Sequence, residues 1–186
     1  MIILTQIKRT DSRLLQLMHK HYSQPKGFVG RNICYAITFN DIYYGHIIGG
    51  SCTLNLPGRD EFFKITKKNY NNIINNIFYH IEKVDKKYPL RNFTTKVLKT
   101  WRHTIAIDWK NKYNDYVLGF ESLIEPPRTA ELYKKDNWVY TGITKGFTCK
   151  RIAGKEKGVF KYGKRVWDYE NLRPKLVYVR KNNVTT

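Results

Sequence analysis

Between Asn32 and Leu54, Ile33, Tyr35, Ile37 and Phe39 alternate with Cys34, Ala36 and Thr38, and Asn40-Asp41 then stands where a tight turn can reverse the chain into a second strand, Tyr43 to Leu54. A period of two commits one face of each strand to a core, and a short Asn-Asp connection commits the pair to antiparallel pairing. A hairpin of this kind cannot bury its apolar face alone. The rest of the sequence must supply the cover.

Residues Ile2 to Ile7 read as a further strand. Asp11 and Ser12 offer N-cap chemistry for a helix running to about Tyr22, with Leu14, Leu15, Leu17 and Met18 on its apolar side, stopped by Ser23-Gln24-Pro25-Lys26-Gly27. Tyr70, Ile73, Ile74, Ile77, Phe78 and Ile81 fall at helical spacing, which predicts a core helix over 70–81. A second helix is predicted over 91–113, where Val97, Trp101, Ile105 and Trp109 recur every four residues and Lys99, Arg102, His103, Ala106 and Lys110 share another face. Tyr116 to Ile124 reads as a strand, Pro126-Pro127 as its end, Thr129 to Asp136 as a short helix, and Val139 to Thr148 and Leu176 to Arg180 as strands. Linkers and repeats are absent from the 186 residues, so one compact α/β domain is expected. No apolar run approaches the ~20 residues of a spanning helix and no signal-peptide pattern follows Met1-Ile2-Ile3, so a cytoplasmic protein is expected. Cys34, Cys52 and Cys149 are widely spaced and are read as reduced thiols.

The formal net charge is +19, well beyond what solubility requires, and it points to a polyanion, with DNA the first candidate and an anionic membrane second. The charge is uneven. Twelve Lys and Arg between Lys145 and Lys181 face only Glu156, Asp168 and Glu170, whereas residues 116–144 carry Arg128, Lys134 and Lys135 against Glu121, Glu125, Glu131 and Asp136. A carboxylate-rich island inside a basic chain suits a site where the surroundings hold phosphates while acids handle protons or a metal.

That island also contains the most distinctive run, Glu121 through Trp138. Strand, Pro-Pro exit and short helix would bring Glu121, Ser122, Glu125, Tyr133 and Asp136 into one neighbourhood beside a helix N-terminus, with Glu121, Ser122, Tyr133 and Asp136 as candidate catalytic residues. The bland alternative makes Tyr133 and Trp138 core aromatics and Glu131–Lys135 a surface pair. His21, at the end of the first helix, is a further candidate acid, base or metal ligand, followed by Tyr22 and Ser23 in an exposed loop; a dipole role at the helix end is the competing reading of the neighbouring His19. No Ser-His-Asp order, HExxH, Walker loop or GxGxxG is present, so hydrolase and NTPase chemistry lack support.

Glu131-Leu-Tyr-Lys-Lys-Asp-Asn-Trp138-Val-Tyr-Thr-Gly142 resembles the closing helix–strand of the GNAT acyltransferase superfamily. More narrowly, His21-Tyr22-Ser23, Glu121–Pro127, Tyr133 through Gly146, Arg165-Val-Trp-Asp168 and Asn171-Leu-Arg-Pro-Lys175 are similar to the phage Mom proteins, which convert adenine in DNA to N6-carbamoylmethyladenine and so block restriction. The resemblance implies a single GNAT-like domain over residues 1–150, a central, mostly antiparallel sheet flanked by helices, and a basic C-terminal extension over 151–186 packing on it. It implies a transferase acting on the adenine amine in the cytoplasm of a bacterium or phage-infected host. Two other readings stay open: an N-acyltransferase for small molecules or proteins, and a nonenzymatic nucleic-acid binder.

On this reading DNA is held by Tyr22, Ser23, Lys26, Arg31, Lys99, Arg102, Lys145, Lys150, Arg151, Lys155, Lys157, Lys161, Lys164 and Arg165, with the target base flipped or single-stranded. Acyl-CoA users of the superfamily grip pyrophosphate with a glycine-containing loop, and the corresponding stretch here, Arg91-Asn92-Phe93-Thr94-Thr95-Lys96, lacks both glycines. The donor is therefore left open with acyl-CoA disfavoured, and Arg91, Thr94 and Lys96 are the residues expected to bind it. The family's iron dependence would make His21, Glu121 and Asp136 its ligands.

Overall fold

The computed structural model describes residues 1–66, 69–84, 88–152, 164–168 and 170–182. In chain order the elements are β1 (Ile2–Ile7), α1 (Ser12–Lys20), β2 (Asn32–Phe39), β3 (Ile42–Ser51), α2 (Pro57–Phe63), β4 (Ile73–Ile81), α3 (Phe93–Tyr113), β5 (Gly119–Ile124), α4 (Glu131–Lys135), β6 (Val139–Ile143), β7 (Thr148–Ile152), β8 (Lys164–Asp168) and β9 (Leu176–Lys181). Seven strands form one sheet in the order β1-β2-β3-β4-β5-β9-β6, and β7 pairs with β8 separately. Within the large sheet only β4 and β5 run parallel. This is the single α/β domain with a mostly antiparallel sheet that the sequence implies.

The β2–β3 hairpin turns at Asn40 and Asp41, whose φ values of 49° and 62° are the left-handed conformations a tight hairpin turn demands and Asn and Asp tolerate. Asp11 caps α1 by accepting from Arg13 N at 3.0 Å and Leu14 N at 3.2 Å. Through Leu14, Leu17 and Met18, α1 packs on Cys34, Ile48 and Phe78. On the same face Leu56, Phe62 and Phe63 of the α2 region meet Leu123, Val177 and Val179. The opposite face is covered by α3, where Val97, Trp101 and Ile105 pack on Tyr35, Ile37 and Ile47, and by the α4 segment. Among the described residues no helix is long and apolar enough to cross a membrane.

The segment 70–81 departs from the sequence reading. It is one short turn, Tyr70–Asn72, followed by strand β4. β4 lies inside the sheet with helices over both faces, so Ile73, Ile74, Asn75 and Asn76 are all buried and the alternation that marks a half-exposed strand disappears. An all-round buried strand matches a helical template by chance, and isoleucine at 73, 74, 77 and 81 favours the extended backbone. Helix α2 went unread because its seven residues have no side-chain cap and only Pro57 at the start as a signal. The tail's last strand, β9, sits inside the sheet between β5 and β6, so residues 176–181 belong to its framework and do not merely pack on it.

Gly49 lets α3 approach the sheet. A Cβ there would stand 2.1 Å from Ile105 Cδ1, 2.8 Å from Ile74 Cγ2 and 3.0 Å from Trp101 Cζ2. Gly49→Ala is therefore expected to destabilise by roughly 1–3 kcal/mol, read as a lower midpoint in urea.

His46 lies fully buried beneath the start of α1, its Nδ1 2.8 Å from Tyr43 Oη. Burial pushes its imidazole down to about 4, with Asp11 opposing. A folded value below the unfolded one, about 6.5, means the unfolded chain binds more protons in that window, so stability falls as pH drops from about 6.5 towards 4. The stability difference between the wild type and His46→Asn should shrink over that interval and stay flat above it.

Candidate active site

Strand β4 pairs with β5 only through Ile73–Gly119, Ile74–Phe120 and Asn75–Glu121, and from Asn76 and Ser122 onward the two parallel strands diverge. At the same point the β3–β4 register steps from Gly49–Asn76 to Ile48–Phe78, leaving Ile77 as an extra residue. The bulge exchanges the faces of β4: Ile74 packs with the α3 core before it, and Phe78 packs with α1 after it. One edge of the β4 backbone beyond Asn75 has lost its strand partner and faces an opening.

The opening is a cavity of about 780 Å³. Its walls are β4 from Asn76 to Ile81, Ser122 to Ile124 of β5, the Pro127–Tyr133 segment, His21 and Tyr22 after α1, and Tyr88 and Thr94 at the start of α3. Because His21 comes from the α1 side and Thr94 and Tyr133 from the α3–α4 side, the cavity reaches both faces of the sheet.

Tyr133 is a buried polar group in its wall. Its hydroxyl donates to Asn76 Oδ1 at 2.7 Å, Asn76 Nδ2 donates to Ile48 O at 3.4 Å, and Ser122 Oγ donates to Asn76 O at 3.5 Å. Asn76 thus ties the bulge, β5 and α4 together. Burial pushes the Tyr133 phenol well above its ordinary range, so it stays protonated. His21 Nδ1 lies 2.8 Å from Ser23 Oγ, and its ring packs 4.5 Å from Phe78 and 5.8 Å from His80 between centroids. Burial pushes the His21 imidazole down to about 4, with His80 and Arg128 reinforcing the shift, and burial lowers His80 as well. Both rings are neutral at neutral pH. The Arg128 guanidinium stacks 3.2 Å from the Tyr22 ring centroid.

The first turn of α3 opens on the cavity through Thr94. Asn92 precedes it in the left-handed conformation, φ 57°, and no side chain caps it. Arg91 and Lys96 are exposed beside that turn, and Tyr79 Oη donates to Thr94 O at 2.6 Å, fixing the helix start to β4. The arrangement presents free amide N–H groups and two cations, as an anion-binding helix start does.

Of the residues singled out in the sequence, His21, Tyr22, Ser122, Tyr133 and Thr94 come together here. Glu121 does not. One residue from Ser122, it points to the opposite face of β5, where Arg59 Nη1 donates to one carboxylate oxygen and Thr53 N donates to the other at 2.6 Å. Burial pushes its carboxyl up to about 7 while Arg59 and the Thr53 N–H pull it back. Asp136 is also committed elsewhere: it accepts from Arg102 Nε at 2.9 Å and Nη2 at 3.1 Å and from Trp138 Nε1 at 2.8 Å. Both acids, placed in the catalytic set from sequence, are buried structural partners. Arg102 is only 5% exposed and cannot serve as a free phosphate contact, and Arg31 is engaged with Asp115.

Iron ligation by His21, Glu121 and Asp136 finds no geometric support, since these residues lie in separate places and no group of three or more His, Cys, Asp or Glu among the described residues could hold a metal. Lys26, Lys99 and Lys145 are exposed. Lys150, Arg151, Lys164 and Arg165 lie on the paired strands β7 and β8, with Arg151 opposite Arg165. Lys155, Lys157 and Lys161 lie outside the described residues.

Sequence reasoning missed Asn76, His80, Arg128 and Arg59. A polar Asn-Asn pair inside the run Ile-Ile-Asn-Asn-Ile-Phe was the available signal for Asn76, and reading that run as a helix hid it.

No protein-family model matches the chain, and no curated protein matches it. Solved structures do resemble it. An acetyltransferase from Bacillus subtilis in complex with CoA superimposes with a TM-score of 0.56 at 12% identity, covering 98% of this chain and 99% of that one. A GNAT family acetyltransferase from Elizabethkingia anophelis with acetyl-CoA bound gives 0.51 at 12% identity over 97% and 98%, and an IAA acetyltransferase from Bacillus cereus gives 0.53 at 11% over 98% and 100%. The likeness is one of fold, and the fold is that of the GNAT acetyltransferases.

It also corrects the expectation about the donor. The Bacillus subtilis neighbour is solved with CoA and the Elizabethkingia anophelis neighbour with acetyl-CoA, so the absence of the two glycines is not a ground for disfavouring an acyl-CoA donor. The donors at a helix start are backbone amides, which any residue supplies, and the left-handed position that commonly selects glycine is held here by Asn92.

Proposed function

We propose that this chain is an N-acyltransferase that moves an acyl group from an acyl-CoA to an amine. The observation that carries the reading is the divergence of β4 from β5 directly after the bulge, with the protonated Tyr133 hydroxyl in the resulting cavity and the uncapped start of α3 at its rim.

The parts fit that chemistry. The α3 start with Arg91 and Lys96 suits a pyrophosphate, and the unpaired β4 edge offers backbone N–H groups to polarise a thioester carbonyl. An amine entering from the His21 side attacks the carbonyl carbon. A C–N bond forms as the C–S bond breaks, His21 takes the amine proton directly or through water, and Tyr133 gives its proton to the departing thiolate. The products are an amide and free CoA thiol.

A second reading keeps this site and specifies the acceptor as the exocyclic amine of adenine in DNA. It is favoured by the net charge of +19 and by the Tyr22–Arg128 stack at the cavity, a surface on which an unstacked base can lie.

One pair of measurements tests both. CoA and acetyl-CoA should raise the unfolding midpoint in a concentration-dependent way, since a ligand at 100 times its Kd adds about 2.7 kcal/mol. Thiol release should then be followed with a polyamine, an aminosugar, a peptide and a DNA duplex as acceptors, the DNA being digested to nucleosides and weighed. Absence of any CoA-induced shift together with absence of thiol release for every acceptor overturns the proposal. Release with the duplex and a heavier adenine nucleoside selects the second reading.

A further inference from the structure

We propose that the outer face of α3, together with a basic pocket at its C-terminal end, is a track that binds the phosphodiester backbone of nucleic acid. The track begins at Lys96, beside the start of α3 assigned to the donor, and runs away from the acyl-transfer cavity, and the proposal does not depend on the donor assignment.

Along α3, Lys96, Lys99 and His103 are exposed and Lys110 is half-exposed, its Nζ donating to Asn114 Oδ1 at 2.7 Å, and spacings of three, four and seven keep the four on one stripe. The only acid on the helix, Asp108, accepts from Tyr35 Oη at 2.7 Å and is thereby held against the sheet. Where α3 ends, a pocket of about 460 Å³ opens between it, the end of β1 and the start of β2. Lys8, Arg9 and Lys112 line it, and no Asp or Glu does. Its floor is built, since Tyr113 Oη donates to Asn32 O at 3.0 Å and Lys112 Nζ donates to the same oxygen at 3.2 Å. Cys34 also lines the pocket, and burial pushes its thiol up to about 11, so no thiolate is available there to suit a soft metal or a redox role.

Several cations elsewhere sit in ion pairs. Arg13 pairs with Asp11, Lys20 with Glu82, Lys134 with Glu131 and Lys175 with Glu125. Among the described residues no carboxylate pairs with Lys8, Arg9, Lys96, Lys99, Lys110 or Lys112. From Lys96 to Lys110 the stripe runs about 21 Å at 1.5 Å per residue, and a duplex rises about 3.4 Å per phosphate along a strand. The track therefore spans roughly six base pairs before the pocket adds its three cations. A linear polyanion of regular charge spacing fits a straight stripe with a concave basic end. Nucleic acid meets that description.

The test is fluorescence anisotropy of a mixed-sequence 20-base-pair duplex across a salt series, with the full-length chain. The variants are Lys99→Glu/Lys110→Glu and Lys8→Glu/Lys112→Glu. The control, Arg13→Glu/Lys64→Glu, makes the same charge change away from the track. Each track variant should weaken binding at least tenfold and reduce the slope of log K against log salt by about two, near 0.9 per lost phosphate contact, while the control stays within about threefold of wild type.

Equal losses in track and control variants would show a response to net charge alone and overturn the proposal. So would an absence of duplex binding by the wild type, or a preference for phosphatidylserine vesicles that the same track variants abolish. CoA-induced thermal shifts are measured on all variants. They should be unchanged, so that failure of the track and failure of the acyltransferase reading remain distinguishable.

Discussion

Replacing Tyr133 with Phe is expected to lower the turnover of acyl transfer by about two orders of magnitude, within the range a positioned general acid contributes, while the KM for acyl-CoA changes little. The hydroxyl is buried, donates to Asn76 Oδ1 at 2.7 Å, and is held protonated by its surroundings. The phenol thus carries a proton at assay pH that can pass to a leaving thiolate, and nothing in these contacts holds the donor. The same change removes a buried hydrogen bond, which costs roughly 1–3 kcal/mol when one partner is left unsatisfied, so the variant should melt earlier yet remain folded at assay temperature. A loss confined to kcat, with the circular dichroism spectrum and the CoA thermal shift retained, supports the acid role. A parallel loss of CoA binding would assign Tyr133 to donor positioning, and unchanged turnover would remove it from the chemistry altogether.

Arg59→Leu is expected to be the most destabilising single substitution outside the apolar core, by roughly 3–5 kcal/mol, the usual cost of stripping a partner from a buried ion pair. Arg59 is fully buried, donates to Glu121, to Thr53 O and, at 2.6 Å, to Asp60 Oδ1, and lies over the Tyr70 ring at 5.5 Å. Without it Glu121 stays buried opposite Val179 with Thr53 as its remaining hydrogen-bond partner. Against a typical total of about 5–15 kcal/mol, such a loss is large. The double variant Arg59→Leu/Glu121→Leu should recover most of it, because removing both charges removes the desolvation cost as well.

The pH dependence has a definite sign. Glu121 has a folded value raised to about 7, so the stability tied to its protonated form is present in acid and is lost as pH rises through the window from its unfolded value, about 4.3, to the folded one. Losing Arg59 removes what pulls that value down and extends the window upward. The deficit of Arg59→Leu, measured by urea unfolding, should therefore be larger at pH 8 than at pH 5, and an equal deficit at both would mean that Glu121 is not the group responsible.

Much of this molecule is legible in neighbouring residues. The alternation from Ile33 to Phe39 and the left-handed pair Asn40-Asp41 fix a hairpin, Asp11 caps α1, and the four-residue recurrence of Val97, Trp101, Ile105 and Trp109 fixes α3 and its buried side. The run from Glu121 to Trp138 places Tyr133 in a cavity wall.

The sequence also misdirects. β4 reads as a helix because burial on both faces erases its period of two, and Glu121 draws attention as a catalytic carboxylate although Ser122, facing the other way, is the residue at the cavity. Which acids are free for chemistry depends on Arg59 and Arg102, lying 62 and 34 residues from their partners Glu121 and Asp136. Local order is set by interactions among residues a few positions apart, so periodicity, caps and turns are written in the string itself. Face, partner and protonation are set by contacts across long loops and by distance from water, and only the folded sheet, with its bulge at Ile77 and the parting of β4 from β5, decides them.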